Sequence, residues 1–224
     1  MPIKRYKSEK DNTISSAFTA NLVDRATKSN MGSSDVLESY SIFAQASSSS
    51  LEQSRIILDY PISTIYSDRM SGNIPASGSV RFKLKLFNAP HGQSTPEKFY
   101  MSAFALTRNW TEGFGLDMES YLDLGSSNWL SASDYTPWYT SGSDYADPSL
   151  IKTSPIDLEY KKYLEAGTED LEFDITPLVE QWFINEAGNA NYSTSSINIG
   201  AYTANKPSTY NTSSFKEIYA ADGQ

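Results

Sequence analysis

A chain of 224 residues can bury a core of its own, and the absence of cysteine excludes a disulfide framework, a thiolate metal site and a cysteine nucleophile. A net charge of −9 and a pI of about 4.6 argue against nucleic-acid binding, which needs a basic footprint. No apolar stretch approaches the roughly 18 residues of a membrane-spanning helix, so no membrane partner is expected.

The chain begins with a basic segment, residues 1–10, which we expect to be a mobile arm. Four cations stand there against the single anion Glu9, which leaves +3 on this segment and −12 on the remainder. A basic arm on an acidic body can dock on an acidic neighbour, and the alternative is a solvated terminus. The cations are Lys4, Arg5, Lys7 and Lys10.

The first half of the body contains short predicted strands at residues 12–18, 36–44 and 55–60. Residues 79–87 carry the clearest pattern, because apolar side chains alternate there with cations. A period of two indicates a half-buried antiparallel strand, since successive side chains leave opposite faces. The apolar members, which we expect in the core, are Val80, Phe82, Leu84 and Leu86.

Residues 99–107 predict a further strand, and a stretch from about 109 to 169 follows it without a repeating pattern. Such a long excursion in a compact domain is usually functional or packed on the body. It contains three of the four tryptophans and many acids. Residues 116–124 and 156–166 within it predict short helical turns.

Residues 171–175 predict a strand that runs directly into a helix. Thr176 suits the N-cap, because its hydroxyl can accept a hydrogen bond from an unpaired backbone N–H of the first turn. Pro177 suits the first helical position, because the N–H that proline lacks would have no partner in the helix there. Apolar residues then recur at helical spacing, which predicts a buried face containing Trp182. The helix is expected to end near Gly188.

Residues 196–202 and 215–220 predict closing strands. Together these elements predict an all-β fold, an antiparallel β-sandwich with one short capping helix and a long loop excursion. The body is expected to be one domain, residues 11–224.

Aromatic residues of the excursion predict a glycan site, because exposed rings stack on sugars while nearby polar groups bind the hydroxyls. The alternative is that these rings pin the excursion to the body. The candidates are Trp129, Trp138, Tyr135 and Tyr139.

Four acids of the excursion predict a calcium site, because oxygen-rich loops hold this ion. Their spacing differs from that of an EF-hand, and solvated acids are the alternative. They are Glu112, Asp117, Glu119 and Asp123.

An enzyme is not expected. His91 is the only histidine and lies in a turn-like context, and no Gly-x-Ser-x-Gly elbow supplies a nucleophile beside it. Paired carboxylates for glycoside hydrolysis depend on a separation in space, which leaves a hydrolase as a distant alternative.

Six short motifs stand in order along the chain: NMGSSDVL at 30–37, SRIILDY at 54–60, WTEG at 110–113, NW at 128–129, TPW at 136–138 and FDITPLVEQW at 173–182. Their order resembles that of the DNRLRE-type domain, a β-sandwich related to carbohydrate-binding modules, over roughly residues 11–219. The resemblance implies a jelly-roll-like sandwich. That family usually closes with an aromatic, arginine-containing strand near a proline, and residues 220–224 do not, so the last strand either is missing or differs. A missing strand would leave an edge that needs a partner.

Three further segments, residues 1–6 (MPIKRY), 11–14 (DNTI) and 115–119 (GLDME), carry a narrower resemblance. They resemble virion structural proteins of marine contractile-tailed phages of the cyanophage type. The narrower resemblance implies a place in the tail, neck or fibre of a virion, and other virion proteins as partners in a homo-oligomer or hetero-assembly. The alternative is a carbohydrate-binding adhesin module of a viral or bacterial surface protein, extracellular or at the cell surface, which binds surface glycan.

Overall fold

The computed structural model describes residues 3–92, 95–106, 108–118, 123–144, 159–186, 196–200 and 216–221. The described residues form eleven strands and two helices, and neither helix is long and apolar enough to cross a membrane. The strands are β1 Lys10–Ser15, β2 Val36–Phe43, β3 Leu51–Asp59, β4 Lys83–Asn88, β5 Phe99–Ala105, β6 Ser131–Ser133, β7 Thr136–Pro137, β8 Glu159–Leu164, β9 Leu171–Asp174, β10 Ser196–Gly200 and β11 Lys216–Ala221; the helices are α1 Ile62–Met70 and α2 Thr176–Glu186.

Nine of these strands form one sheet with antiparallel neighbours. Eight of them follow in the order β8-β5-β10-β3-β2-β11-β4-β9, and the ninth, β1, pairs with β3 off this path. β6 and β7 form a separate hairpin. The long strand β3 joins two groups of strands, because its residues 51–53 pair with β2 and its residues 56–59 pair with β10.

The main core contains side chains from β2, β3, β4, β5, β8 and β9, and both helices pack into it. Leu84 and Leu86 are buried there, and Val80 and Phe82 pack against it half-buried. The alternating burial predicted for residues 79–87 is therefore confirmed, although the strand itself is Lys83–Asn88.

Helix α2 buries the face that its sequence predicts, with Leu178, Val179 and Trp182 in the main core. The predicted N-cap role of Thr176 is wrong. Its hydroxyl instead accepts the Phe82 N–H at 2.8 Å and donates to Asp174 Oδ1 at 2.6 Å, while Asp174 Oδ1 also accepts the Thr176 N–H at 3.2 Å. The hydroxyl therefore joins the helix to the β4 segment.

Three local predictions differ from the structure. The described residues contain two helices where one was expected, because α1 follows β3 directly after Pro61. Residues 159–164, inside a predicted helical turn, form β8, which pairs with β5 along six positions. The excursion is accordingly not free of regular structure, since β6, β7 and β8 all lie within it.

Candidate functional site: a tyrosine hairpin on a tryptophan layer

A second cluster of buried side chains, here called the tryptophan layer, lies on the opposite face of β3 from the main core. Ile56 and Leu58 of β3 point into the main core, whereas Ile57 between them packs in the layer. This follows from the period-two geometry of a strand. The excursion therefore covers the back of β1 and β3. Members of the layer are Ile14, Ile57, Leu106, Trp110, Trp129, Ala132 and Trp138.

Hydrogen bonds fix Trp138 beside the β6–β7 hairpin. The Trp138 indole N–H donates to the Asn128 carbonyl at 2.8 Å, and the Trp138 backbone N–H donates to the Leu130 carbonyl at 3.0 Å. Asn128 Oδ1 also accepts the backbone N–H groups of Leu130 and Ser131 at 2.9 and 3.0 Å. The hairpin thus stands on a buried, hydrogen-bonded base.

Arg55 joins this base to β3. Its Nη1 donates to the Gly142 carbonyl at 2.5 Å, and its guanidinium lies 5.0 Å from the centroid of the Trp129 ring. Gly142 adopts a left-handed φ of +86°, and a Cβ there would lie 2.8 Å from the Trp129 ring. Only glycine fits a position with both constraints.

The tyrosine hairpin, residues 131–139, presents two aromatic rings to solvent. Tyr135 is 95% exposed and Tyr139 is 88% exposed. Tyr135 also adopts a left-handed φ of +52°, which L-residues other than glycine, asparagine and aspartate seldom occupy. The two tyrosines are four positions apart, so their Cα atoms lie within about 14 Å of each other.

A buried carboxylate organises the end of the hairpin. Asp144 accepts the backbone N–H groups of Tyr139 at 3.1 Å and Thr140 at 2.9 Å, and its Oδ2 lies 3.3 Å from Arg108 Nε. Arg108 Nη1 donates to the Pro137 carbonyl at 2.6 Å, and its guanidinium lies 3.9 Å from the centroid of the Tyr139 ring. One face of Tyr139 is therefore held on a cation, a favourable contact.

The predicted glycan residues divide into two pairs. Trp129 and Trp138 are buried in the tryptophan layer and present no ring face to a sugar, which corrects the expectation that they are exposed. Tyr135 and Tyr139 are exposed. The alternative interpretation, in which aromatics pin the excursion to the body, describes the two tryptophans.

Two of the four predicted calcium ligands accept hydrogen bonds from backbone N–H groups. Glu112 Oε1 accepts the Asp11 N–H at 2.8 Å, and Asp123 Oδ2 accepts the Phe114 N–H at 2.8 Å. Within the described ranges, no three His, Asp or Glu side chains form a group that could hold a metal ion. Glu119 lies outside the described residues, so the calcium site with Asp117 stays a prediction.

The basic N-terminal segment contacts the body in the part that is described. Lys4 Nζ lies 2.5 Å from Asp68 Oδ2 on α1, and Lys10, the first residue of β1, lies 2.9 Å from Asp59 Oδ2. Arg5 and Lys7 are exposed. The mobile basic arm at residues 1–10 stays a prediction, although both ends of residues 4–10 form ion pairs with the body.

Arg108 and Asp144, which organise the hairpin, were not predicted as a pair. They are 36 positions apart in the chain, and neither belongs to a periodic pattern. The sequence offers only an arginine and an acid in an aromatic-rich excursion as a signal for this pair.

No family model, curated protein or solved structure matches the chain, so the geometry of the hairpin is the basis for its interpretation.

Proposed function

We propose that this chain is a non-enzymatic structural protein of a phage particle, in the tail, neck or fibre apparatus, which acts through protein–protein assembly. The observation that carries the assembly role is the tyrosine hairpin, with Tyr135 and Tyr139 almost fully exposed on a rigid base. The viral location rests on the sequence resemblance at residues 1–6, 11–14 and 115–119. In this role the chain belongs to a virion.

The hairpin suits a partner because the Tyr135 and Tyr139 rings are 95% and 88% exposed. A left-handed backbone at Tyr135 costs about 1 kcal/mol or more, and its ring is left in water. Tyrosine is enriched in protein interfaces, where an apolar ring and a polar tip both find partners. Burial of these rings against another protein would offset that cost.

The antiparallel β-sandwich belongs to the same proposal. Two observations support it: β2, β3, β4, β5, β8 and β9 all contribute side chains to the main core, and β3 pairs with β2 at one end and with β10 at the other. A strand that changes partners in this way is typical of the corner between two packed sheets.

Sedimentation velocity tests the assembly role directly. The purified chain is expected to form a defined oligomer at micromolar concentration, and the double variant Tyr135→Ser, Tyr139→Ser is expected to shift it towards monomer. Phe114→Ser is the matched control, since Phe114 is an exposed ring outside the hairpin. An equal shift towards monomer in the control would show that the hairpin has no specific role in assembly.

The particle location needs a second measurement. Gold-labelled antibody against the chain is expected to mark the tail, neck or fibre of particles of the phage that encodes it. Particles without label, together with a wild-type chain that stays monomeric, would contradict the proposal.

A second candidate function is a carbohydrate-binding adhesin module of a viral or bacterial surface protein. One observation favours it: the Tyr139 ring has one face on Arg108 and is 88% exposed, which leaves its other face available for stacking on a sugar. The two functions differ in a simple way, because a module of this kind is expected to stay monomeric and to bind glycan.

A further inference from the structure

Two tyrosines outside the hairpin lie side by side on the outer face of β5 and β8. Tyr100 and Tyr163 are direct cross-strand partners in the antiparallel register, and their ring centroids are 5.0 Å apart with the planes tilted by 54°. Centroids of packed aromatic rings lie about 4.5–7 Å apart, so these two rings are close to the shortest usual separation. The side chains leave the sheet directly opposite each other, which places corresponding ring atoms next to one another.

Both rings are accessible to a small reagent in solution, and the backbone beneath them is fixed. Tyr100 is 60% exposed and Tyr163 is 41% exposed. β5 and β8 pair along six consecutive positions, and residues on the opposite face, among them Met101 and Leu164, are buried in the main core. The two phenols therefore remain neighbours while solvent reaches them from the outer side.

A carboxylate accepts the hydrogen of one of the two phenols. The Tyr163 hydroxyl forms a hydrogen bond with Glu165, and the pKa of this phenol is raised, first by desolvation and then by the Glu165 carboxylate. The phenol is therefore neutral at neutral pH, and a base must take its proton when the ring loses an electron. Glu165 is in hydrogen-bond contact with that proton and can accept it.

Close phenols, access for a reagent and a proton acceptor are the requirements for oxidative coupling of two tyrosines. Removal of one electron and one proton from each phenol gives two tyrosyl radicals, in which the unpaired electron is shared with the ring carbons next to the C–O carbon. The radicals join by a C–C bond between one Cε atom of each ring. The hydrogen on each joined carbon then moves to the oxygen of its own ring, so the net loss is two electrons and two protons.

We propose that Tyr100 and Tyr163 are a cross-linking site, at which a one-electron oxidant joins β5 to β8 through dityrosine. The oxidant takes one electron from each ring, the Glu165 carboxylate accepts the Tyr163 proton, and water accepts the Tyr100 proton. β8 ends the path of strands in the nine-stranded sheet, so the bond fastens a terminal strand to its neighbour β5. This modification goes beyond the assembly role and does not depend on it.

Oxidation of the purified chain tests the site. Illumination of a ruthenium trisbipyridine complex with persulfate generates a one-electron oxidant, and each persulfate takes up two electrons to become two sulfate ions. The product is expected to run as a monomer on a denaturing gel and to show dityrosine fluorescence. Digestion is expected to release linked peptides containing Tyr100 and Tyr163, lighter than their sum by two hydrogen atoms. The melting temperature is expected to rise by about 5 °C or more, because the bond restricts the unfolded chain.

Matched variants show which phenols react. Tyr100→Phe and Tyr163→Phe each keep a packed ring but remove one phenol, and each is expected to abolish the linked peptides. The control is the double variant Tyr135→Phe, Tyr139→Phe, which removes two more exposed phenols and is expected to form the link as the wild type does. Glu165→Gln is expected to slow formation of the link several-fold at neutral pH, because an amide does not take the phenol proton.

A wild-type chain whose tyrosines are oxidised without release of the linked Tyr100–Tyr163 peptides would overturn the proposal, and so would a link that persists in Tyr163→Phe. An unchanged rate in Glu165→Gln would show that this carboxylate does not take the proton. Thermal denaturation before oxidation establishes that each variant is folded. Sedimentation velocity of the unoxidised chain reports on assembly, so the cross-link and the assembly role can fail separately.

Discussion

At the scale of single residues, a close backbone approach joins two loops that are distant in the sequence. Asn30 is fully buried, and its Oδ1 accepts the N–H groups of Gly115 at 2.9 Å and Gly32 at 3.3 Å. A Cβ on Gly115 would lie 1.9 Å from the Asn30 carbonyl oxygen, and a Cβ on Gly32 would lie 2.4 Å from that of Gly113. Both loops belong to motifs of the sequence resemblance.

Gly115→Ala is therefore expected to lower the free energy of unfolding by more than about 2 kcal/mol, because the nearest obstructing atom is a backbone carbonyl oxygen, which cannot rotate away. The matched control is Gly125→Ala, where the nearest atom would be Asp123 Oδ1 at 3.9 Å. Its effect is expected to stay within about 1 kcal/mol in either direction. Urea unfolding measures both, and equal effects would show that the loops are not in this contact.

Residue-level predictions from the sequence succeed where a local period carries the information. Leu84, Leu86 and Trp182 are buried as expected, because alternation and helical spacing identify a buried face without knowledge of the partner. The burial of Trp129 and Trp138 could not be derived in this way. It depends on Ile14 and Ile57, which come from strands more than 70 positions away.

At the scale of elements, a partly buried ion pair connects the two helices. Arg69 of α1 donates to both carboxylate oxygens of Glu180 on α2, at 2.5 and 2.8 Å. The same guanidinium lies 4.6 Å from the ring centroid of Phe183 and 5.5 Å from that of Phe82. The pair fixes α1, whose own buried contacts are few, against α2.

A double-mutant cycle with Arg69→Ala and Glu180→Ala is expected to give a coupling energy of about 1.5–3 kcal/mol, because the two hydrogen bonds are charge-assisted and partly shielded from water. The control cycle uses Lys83 and Glu172, an exposed pair on β4 and β9 at 2.5 Å, for which a much smaller coupling is expected because solvent screens the two charges. Chemical denaturation supplies the four free energies of each cycle. A coupling no larger than the control would mean that α1 is held mainly by Ile62 and Ile65.

The elements that the sequence does not predict are those defined by distant partners. α1 has only nine residues and buries just Ile62 and Ile65, so its periodic signal is short, and part of its support comes from Glu180 more than 100 positions away. β8 carries apolar and charged residues without strict alternation, and its pairing with β5 decides its conformation. Tertiary pairing overrides local propensity in both elements.

At the scale of the whole molecule, the acidic body holds its basic N-terminal segment by internal charge pairs. Lys4 Nζ and the Tyr6 hydroxyl both donate to Asp68 Oδ2, at 2.5 and 2.6 Å, and Tyr6 packs against the main core. The Asp68 pKa is lowered to about 2, first by the hydrogen bond from Lys4 and then by those from Tyr6 and Asn73. The same contact raises the Lys4 pKa. The segment is thus tied to α1 by charge.

This tie predicts an acid-sensitive contribution to stability. A carboxyl whose folded-state pKa lies below its ordinary value of 3.8 stabilises the fold above pH 3.8 and loses that contribution as the pH falls towards about 2. The Lys4 pKa is raised above its ordinary value of 10.5, so Lys4 contributes to stability below pH 10.5 and loses that contribution as the pH rises further. Between these limits, Asp68→Asn is expected to lower the melting temperature by a constant amount.

As the pH falls from about 4 to 2.5, the melting temperatures of the wild type and Asp68→Asn are expected to converge. Protonation of Asp68 then removes from the wild type the charged contact with Lys4 that the variant lacks at every pH. Lys4→Gln is expected to reproduce the difference at pH 6, since it removes the same contact from the other side. Asp170→Asn is the control, because that carboxylate lies 3.9 Å from Lys85 Nζ on the exposed face of the sheet. A difference that stays unchanged down to pH 2.5 would show that Asp68 does not hold the N-terminal segment.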